Sequence, residues 1–472
     1  MSGNEESVMS TKISLDDFGA LSDGSADCSQ AFQAALRELD KLGGGTLQVP
    51  RGTYTTGPLE LKSNTHLYLS SGAVIRFIPD PSRYPPVETR WEGLVCNAMH
   101  PLIYARDSSN ISLSGQGTID GSGLWWWKTY REKRARNQRS PELAIELELA
   151  NLNGSTELQP SGGGGREMQF LRPPLIQFYR CSKILMEGIT FRNSPFWTIH
   201  PVFSDNIEIR GITIINPSDA PNTDGIDIDS CSDVTILHST IDVGDDCLAL
   251  KAGSGHQGLA ENKPTRNVII QGCTFLNGHG GVVIGSETAG GVENVEVLNC
   301  QFDGTDRGIR IKSRRGRGGI VQNLDFRNLL MRETLCPLTI NLYYNCGASA
   351  EERPLLFSSF PEPLSSLTPR IRNVKISNLT ALDCRSSAGF IAGLPESPIE
   401  NLLIENFHAS LSQEKLKKVS NSEMYEGLPE IESRGVRIRN ASCIIHGLQV
   451  EGTQDHEKII EEQGSRISGL GN

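Results

Sequence analysis

Along most of the chain, apolar and polar residues alternate in short runs separated by turn residues, the signature of half-buried β-strands. The runs keep a common phase. An Asn, Asp or Lys precedes alternating aliphatics at Asn110-Ile111, Lys183-Ile184, Asn206-Ile207, Asp233-Val234, Asn267-Val268, Asn294-Val295, Asn323-Leu324, Asn373-Val374 and Asn401-Leu402. From Lys183 to Asn323 these markers are spaced 23, 27, 34, 27 and 29 residues apart. A period in the twenties made of short strands describes stacked coils. A second strand follows in each unit (Ile212–Ile215, Thr240–Val243, Thr274–Leu276), and then a third. The predicted fold is therefore all-β, a parallel β-helix with three strands per rung. Wider gaps before Lys183 and between Asn323 and Asn373 predict loop insertions at 119–172 and 347–370.

One stretch ahead of the coils keeps helical spacing instead: Phe32, Ala35, Leu36 and Leu39. Asp27 is its expected N-cap, with Gln30 at the third helical position, and Gly43-Gly44-Gly45 ends it. The strands Thr46–Val49, Thr56–Leu61, His66–Leu69 and Ala73–Phe77 follow, so this helix is suited to capping the open end of a solenoid. Residues 1–13 read as a disordered tail, 14–450 as one β-helix domain, and 451–472 as a charged C-terminal tail. The first insertion holds Trp125-Trp126-Trp127, a mixed-charge run from Lys128 to Arg139, a helix-like stretch over Glu142–Asn151, and Gly162–Gly165. The second is rich in Pro, Ser and Glu.

A chain of 472 residues is long for one compact core, but a repeat architecture escapes that limit because each unit packs on its neighbours. The net charge of −11 and pI of about 5.4 argue against nucleic acid or an anionic membrane as partner. No apolar run approaches the roughly 20 residues of a membrane-spanning helix. The N-terminus shows neither the basic nor the apolar region of a secretion signal. The eleven cysteines are scattered and lack metal-site spacing, which suits buried reduced thiols. The expected location is the cytoplasm. No metal or cofactor is expected, and the oligomeric state is left open.

The chemistry concentrates where the third strands align. Gly225–Asp229, Cys247–Lys251, Gly281–Gly285 and Gly308–Lys312 stack with aliphatics at their second and fourth positions, so the third and fifth positions face outward. Arg310 and Lys312 then project together beside Asp227, Asp229 and Lys251. In the preceding turns Asp224 aligns with Asp246, and Asp245 with His279. Rungs lie about 4.8 Å apart, so these groups crowd together. Three adjacent carboxylates cannot all ionise freely, and one is expected to keep a proton near neutral pH. An acid beside ionised carboxylates suits glycoside hydrolysis. His279 can tune that acid, and two fixed cations can grip a sugar carboxylate. The expected partner is an acidic oligosaccharide.

Asn222-Thr223-Asp224, Gly244-Asp245-Asp246, Gly278-His279-Gly280 and Arg310-Ile311-Lys312 occur in the order of the four signature motifs of polygalacturonases, glycoside hydrolase family 28. The resemblance spans roughly residues 14–450 and includes the Asp17-Phe18-Gly19-Ala20 segment. It implies a right-handed β-helix with a cleft along one face. By the same resemblance Asp245 is the general acid, Asp224 and Asp246 activate water with inversion at the anomeric carbon, and His279 supports the acid. Arg310 and Lys312 bind galacturonate at the cleavage point. Asn222 positions substrate or a neighbouring carboxylate, and Tyr344 matches a later tyrosine of the family. Inversion rests on the resemblance alone: inverting carboxylates lie about 6.5–9.5 Å apart, whereas adjacent rungs give roughly 5 Å. The contexts Asn216–Pro221 and Ser313–Gly319 resemble the bacterial exo-acting branch, in which the insertions would build a wall at the end of the cleft.

Other readings stand beside these. A rhamnogalacturonan hydrolase of the same family, a calcium-dependent pectate lyase and a non-catalytic glycan-binding β-helix are the rival functions. Arg314–Arg317 reads as a solvated loop and His200 as a packing residue. Asp227 and Asp229 read as an outer ladder. Trp125–Trp127 divide evenly between loop packing and a sugar platform.

Overall fold

The computed structural model describes residues 11–154 and 164–469. Each phase marker bends the chain: Asn110, Lys183, Asn206, Asp233, Asn267, Asn294, Asn323, Asn373 and Asn401 all take left-handed backbone, with φ between 54° and 60°. Among side-chain-bearing residues Asn accepts that conformation most readily. Its amide then does a second job, since Asn294 donates to Asn267 (3.2 Å), Asn323 to Asn294 (3.1 Å), Asn373 to Asn323 (3.0 Å) and Asn401 to Asn373 (3.0 Å). A second ladder joins Asn299, Asn328, Asn378 and Asn406.

Among the described residues, and beside a separate two-stranded sheet, the coil strands collect into a 23-stranded sheet carrying these ladders and a 12-stranded sheet. Neighbouring strands in both run parallel, as a right-handed β-helix requires. The alignment expected for the third strands is the observed register, with Ile226 opposite Leu248, Leu248 opposite Val282 and Val282 opposite Ile309. Their inward aliphatics are buried in one continuous core.

Helix α1 (Ser29–Lys41) caps the N-terminal end through Phe32, Ala35 and Leu39. Its N-cap is Cys28, not Asp27. Asp27 stands one residue earlier and accepts from the Ser29 amide at 2.9 Å. The glycine run after the helix is required sterically at Gly45, where φ is 143° and a Cβ would lie 2.6 Å from the Thr11 carbonyl oxygen.

Both ends differ from the tails read in the sequence. Lys12–Ser14 already pairs with the strand at Gly45–Val49; residues 1–10 lie outside the described residues. Beyond residue 450 the coil continues, with Ile459–Glu461 pairing on Val436–Ile438 and Arg466–Ser468 on Ser442–Ile444. Charge there marks the exposed end of the last rung, and residues 470–472 lie outside the described residues.

The first insertion folds as α2 (Leu124–Ala135) and α3 (Ala144–Asn153); Gly162 and Gly163 lie outside the described residues. An antiparallel hairpin, Pro86–Trp91 with Leu94–Met99, escaped the periodicity. Its turn is Glu92-Gly93, both at positive φ, the geometry of a tight two-residue hairpin loop.

Candidate active site

The turns before the strands of the smaller sheet deliver the carboxylates. The Gly225 amide donates to the Asp246 carbonyl (2.9 Å) and the His279 amide to the Asp245 carbonyl (3.0 Å). Asp224 therefore stacks on Asp246, and Asp245 on His279. One oxygen of each of Asp224, Asp245 and Asp246 falls within 4.8 Å of the others. Two of the three are already matched with positive or protonatable groups. Lys312 Nζ reaches Asp246 Oδ2 at 2.6 Å and Arg310 Nη1 reaches Oδ1 at 3.2 Å, while His279 Nδ1 lies 3.1 Å from Asp245 Oδ1. The Tyr344 ring stands 5.6 Å from the Arg310 guanidinium and 5.3 Å from Lys312 Nζ.

These contacts separate three similar side chains. Burial pushes Asp224 well above the ordinary carboxylate range, and the neighbouring Asp245 and Asp227 push it further. Burial opposes ionisation of Asp246 as well, but Lys312, Arg310 and Lys251 outweigh it and hold Asp246 far below that range. At Asp245 burial is outweighed by the hydrogen bond and charge of His279, and Asp245 in turn raises the His279 imidazole. The site thus holds one fixed anion, one carboxyl that retains its proton readily, and one carboxylate–imidazole pair sharing a proton.

Asn222, Asp224, Asp245, Asp246, His279, Arg310, Lys312 and Tyr344 all line one cavity of about 630 Å³. Trp197, Tyr130, Arg134 and Glu92 line it too. They come from the rung before Asp224, from α2 and from the hairpin turn. Lys251 completes the floor, 3.2 Å from Glu287, 3.5 Å from Asp227 and 4.5 Å from the Trp197 ring centre.

Several outward residues are not where the sequence placed them. Asp227 and Asp229 are wholly buried. The hairpin covers this face, and its Arg90 reaches Asp229 at 2.5 Å and also pairs with Glu261. Arg314, Arg315 and Arg317 are buried, not solvated. Arg315 grips Glu396 at 2.6 and 2.8 Å and caps carbonyls of Leu356 and Ser358, which pins the second insertion to the coil. Trp126 and Trp127 are buried, with Trp127 donating to the Ser194 carbonyl, so the tryptophan run packs the loop. His200 packs as expected, against Gln177 and Trp197.

Glu92, Arg172 and Glu423 were missed. Glu423 pairs with Arg310 at 3.4 Å from a C-terminal loop without periodicity. Glu92 sits at a turn whose Glu-Gly pair between apolar runs was a usable hairpin signal. Burial raises its pKa to about 7, against the pull of Arg166 and with a push from Glu287.

A family model described as glycosyl hydrolases family 28 matches residues 151–354. A probable polygalacturonase of Vitis vinifera is 31% identical over 416 residues, covering 86% of this chain and 75% of the relative. The chain belongs to glycosyl hydrolase family 28. An endo-polygalacturonase of Pectobacterium carotovorum is 32% identical over 340 residues, 68% of this chain and 73% of that one. The crystal structure of an exopolygalacturonase from Thermotoga maritima superposes with a TM-score of 0.70 at 30% identity, covering 98% of this chain and 92% of its own. Family 28 relatives of both cleavage modes are thus similar to this chain.

Proposed function

We propose that the protein hydrolyses α-1,4 bonds of oligogalacturonides from the non-reducing end, releasing galacturonate by single displacement. The observation that carries this reading is the division of labour among the stacked carboxylates, flanked by two cations that keep donors to spare. Lys312 uses one of its three donor hydrogens on Asp246, and Arg310 uses two of its five, on Asp246 and Glu423. Both can therefore still meet a sugar carboxylate over the Tyr344 ring.

In this reading the proton shared by Asp245 and His279 passes to the leaving oxygen as the glycosidic bond breaks. Water attacks the anomeric carbon and gives its proton to ionised Asp224, while Asp246 holds the water. The short distance among the carboxylates alone would suit a covalent intermediate. Against that, both oxygens of Asp246 are engaged by Lys312 and Arg310, which suits holding water better than attacking carbon.

Exo action is supported by the wall of Glu92, Trp197, Tyr130 and Arg134, and by a cavity of about 630 Å³, the size of a ligand pocket. We also place the enzyme in the cytoplasm, on the ground that all eleven cysteines are free thiols, as a reducing compartment favours. Secretion of the active enzyme by its source cells would refute that placement.

The test is a time course on trigalacturonate and on long polygalacturonate. Monomer from the first minutes, viscosity falling far more slowly than reducing ends rise, and β-galacturonate as the first anomer by proton NMR are expected. Early mixed oligomers would refute exo action, and first release of the α-anomer would refute single displacement. An ultraviolet-absorbing unsaturated product would move the protein to the lyases.

A further inference from the structure

Arg172 belongs to none of the four motifs. It closes the first insertion in Leu171-Arg172-Pro173-Pro174 and is completely buried. The Tyr130 ring lies 4.0 Å from its guanidinium carbon and the Phe196 ring 5.1 Å. Nη1 donates to the carbonyls of Pro195 (3.1 Å) and Pro221 (2.8 Å), and Nη2 donates to Asn222 Oδ1 at 2.7 Å. Burial lowers its pKa to about 10, so it remains a cation at neutral pH.

This contact fixes something an asparagine ordinarily leaves free. The two ends of its amide are nearly isosteric, and only the hydrogen-bond network decides which points where. With Oδ1 held by a buried cation, Nδ2 must point away from Arg172. Asn222 lines the cavity beside Asp224 and Asp245, and its Nδ2 has no hydrogen-bond partner among the described residues. Its backbone is left-handed, with φ at 55°, and the same turn places it two residues before Asp224.

We propose that Arg172 is a positioning residue that locks the Asn222 amide with its NH₂ facing the cleft, as a fixed donor to an oxygen of the uronate unit bound beside Asp224 and Asp245. The identity of the sugar rests on the galacturonan reading above; the locked donor rests on Arg172 alone. The lock reaches the catalytic turn from the first insertion, so the loop that walls the cleft also sets the polarity of one of its binding groups.

The test compares wild type, Arg172→Met, Arg172→Lys, Asn222→Gly and the double variants on trigalacturonate, with Tm recorded for each. Glycine removes the amide at a left-handed position without strain. Binding to Asp245→Asn by calorimetry separates affinity from turnover. Loss of a charge-assisted donor contact should raise KM roughly ten- to a hundredfold in both Arg172→Met and Asn222→Gly, with a smaller change in kcat. In the Asn222→Gly background, Arg172→Met should add no more than about threefold. Arg172→Lys keeps the charge and should recover part of the loss; it carries the same cycle if the Met variant does not fold. Fully additive losses, or a wild-type KM with only a lower Tm, overturn the lock while leaving the galacturonan reading intact. A wild type that neither binds nor cleaves trigalacturonate overturns that reading and the sugar assignment with it.

Discussion

The two sheets use one device to opposite ends. Rung stacking places residues far apart in sequence side by side, whatever those residues are. On the larger sheet successive rungs present asparagine against asparagine. Each amide is donor and acceptor at once, so the ladder satisfies itself at 3.0–3.2 Å per step. On the cleft the same stacking sets Asp224 on Asp246 and Asp245 on His279; the two carboxylates cannot satisfy each other without a compensating cation, and Asp245 is satisfied only through the proton it shares with His279. The coil is indifferent to chemistry. A repeated residue gives it stability, and a break in the repeat gives it a site whose groups hold unusual protonation states.

The sharpest way to break the comparison is to replace one carboxylate at a time. Asp224→Asn and Asp246→Asn should each lower kcat by roughly 10²–10⁴-fold, the usual size of an acid–base contribution. Their stabilities should move in opposite directions. Asp224 is buried among like charges that favour its neutral form, so a neutral amide in its place should leave Tm unchanged or raised. Asp246 balances Lys312 and Arg310, and its loss strands the buried Lys312 ammonium while leaving Arg310 to Glu423 alone, at a cost of about 3–5 kcal/mol. Calorimetry on both variants checks this. A shared fall in Tm would mean that the site is not divided between strained and compensated carboxylates.

The pH profile is the next largest effect. In the proposed mechanism Asp224 must be ionised to take the proton of water, so activity should rise as pH climbs through its elevated pKa, well above the ordinary acid limb of a carboxylate. By the same proposal His279 must keep the pair protonated, so activity should fall only above the ordinary imidazole range. The stability sign follows the same way. A histidine whose folded pKa is raised stabilises below its unfolded value and loses that contribution as pH passes the folded one. The Tm gap between wild type and His279→Ala should therefore narrow toward alkaline pH. A constant gap would show that His279 acts by packing.

The coil and the catalytic turns were legible because both are written in local pattern. Alternation fixed the strands, the left-handed Asn fixed the phase, and phase alone brought Asp224 over Asp246. What covers the cleft was not legible. The hairpin that buries Asp229 is two strands of another pairing type, laid across the coil by contacts such as Arg90 to Asp229 that leave no period. Arg315 looked solvated because a glycine-flanked basic run is usually exposed, and its partner Glu396 stands 81 residues away. Trp126 and Trp127 looked equally suited to sugar or core until α2 gave them a face to bury. Such long-range covering contacts are set by tertiary packing, and they also give Glu92 and Arg172 their places.

The smallest effect tests the stabilising side of the comparison by itself. Asn323 joins two ladder steps, at 3.1 Å to Asn294 and 3.0 Å to Asn373, and holds φ at 57°. Alanine there loses both exposed amide bonds and must also enter the left-handed region, at about 1–2 kcal/mol; the bonds add about 0.5–1.5 kcal/mol each at most. Glycine loses the bonds and keeps the conformation. Asn323→Gly should therefore unfold at lower urea than wild type, and Asn323→Ala at lower urea still. Both should retain full kcat per folded molecule, because the ladder belongs to the sheet that does not line the cleft. Equal midpoints for the glycine and alanine variants would mean that backbone strain plays no part. A glycine variant as stable as wild type would mean that the amide ladder merely accompanies the bend, and stability would then come from the aliphatic stacks beneath it.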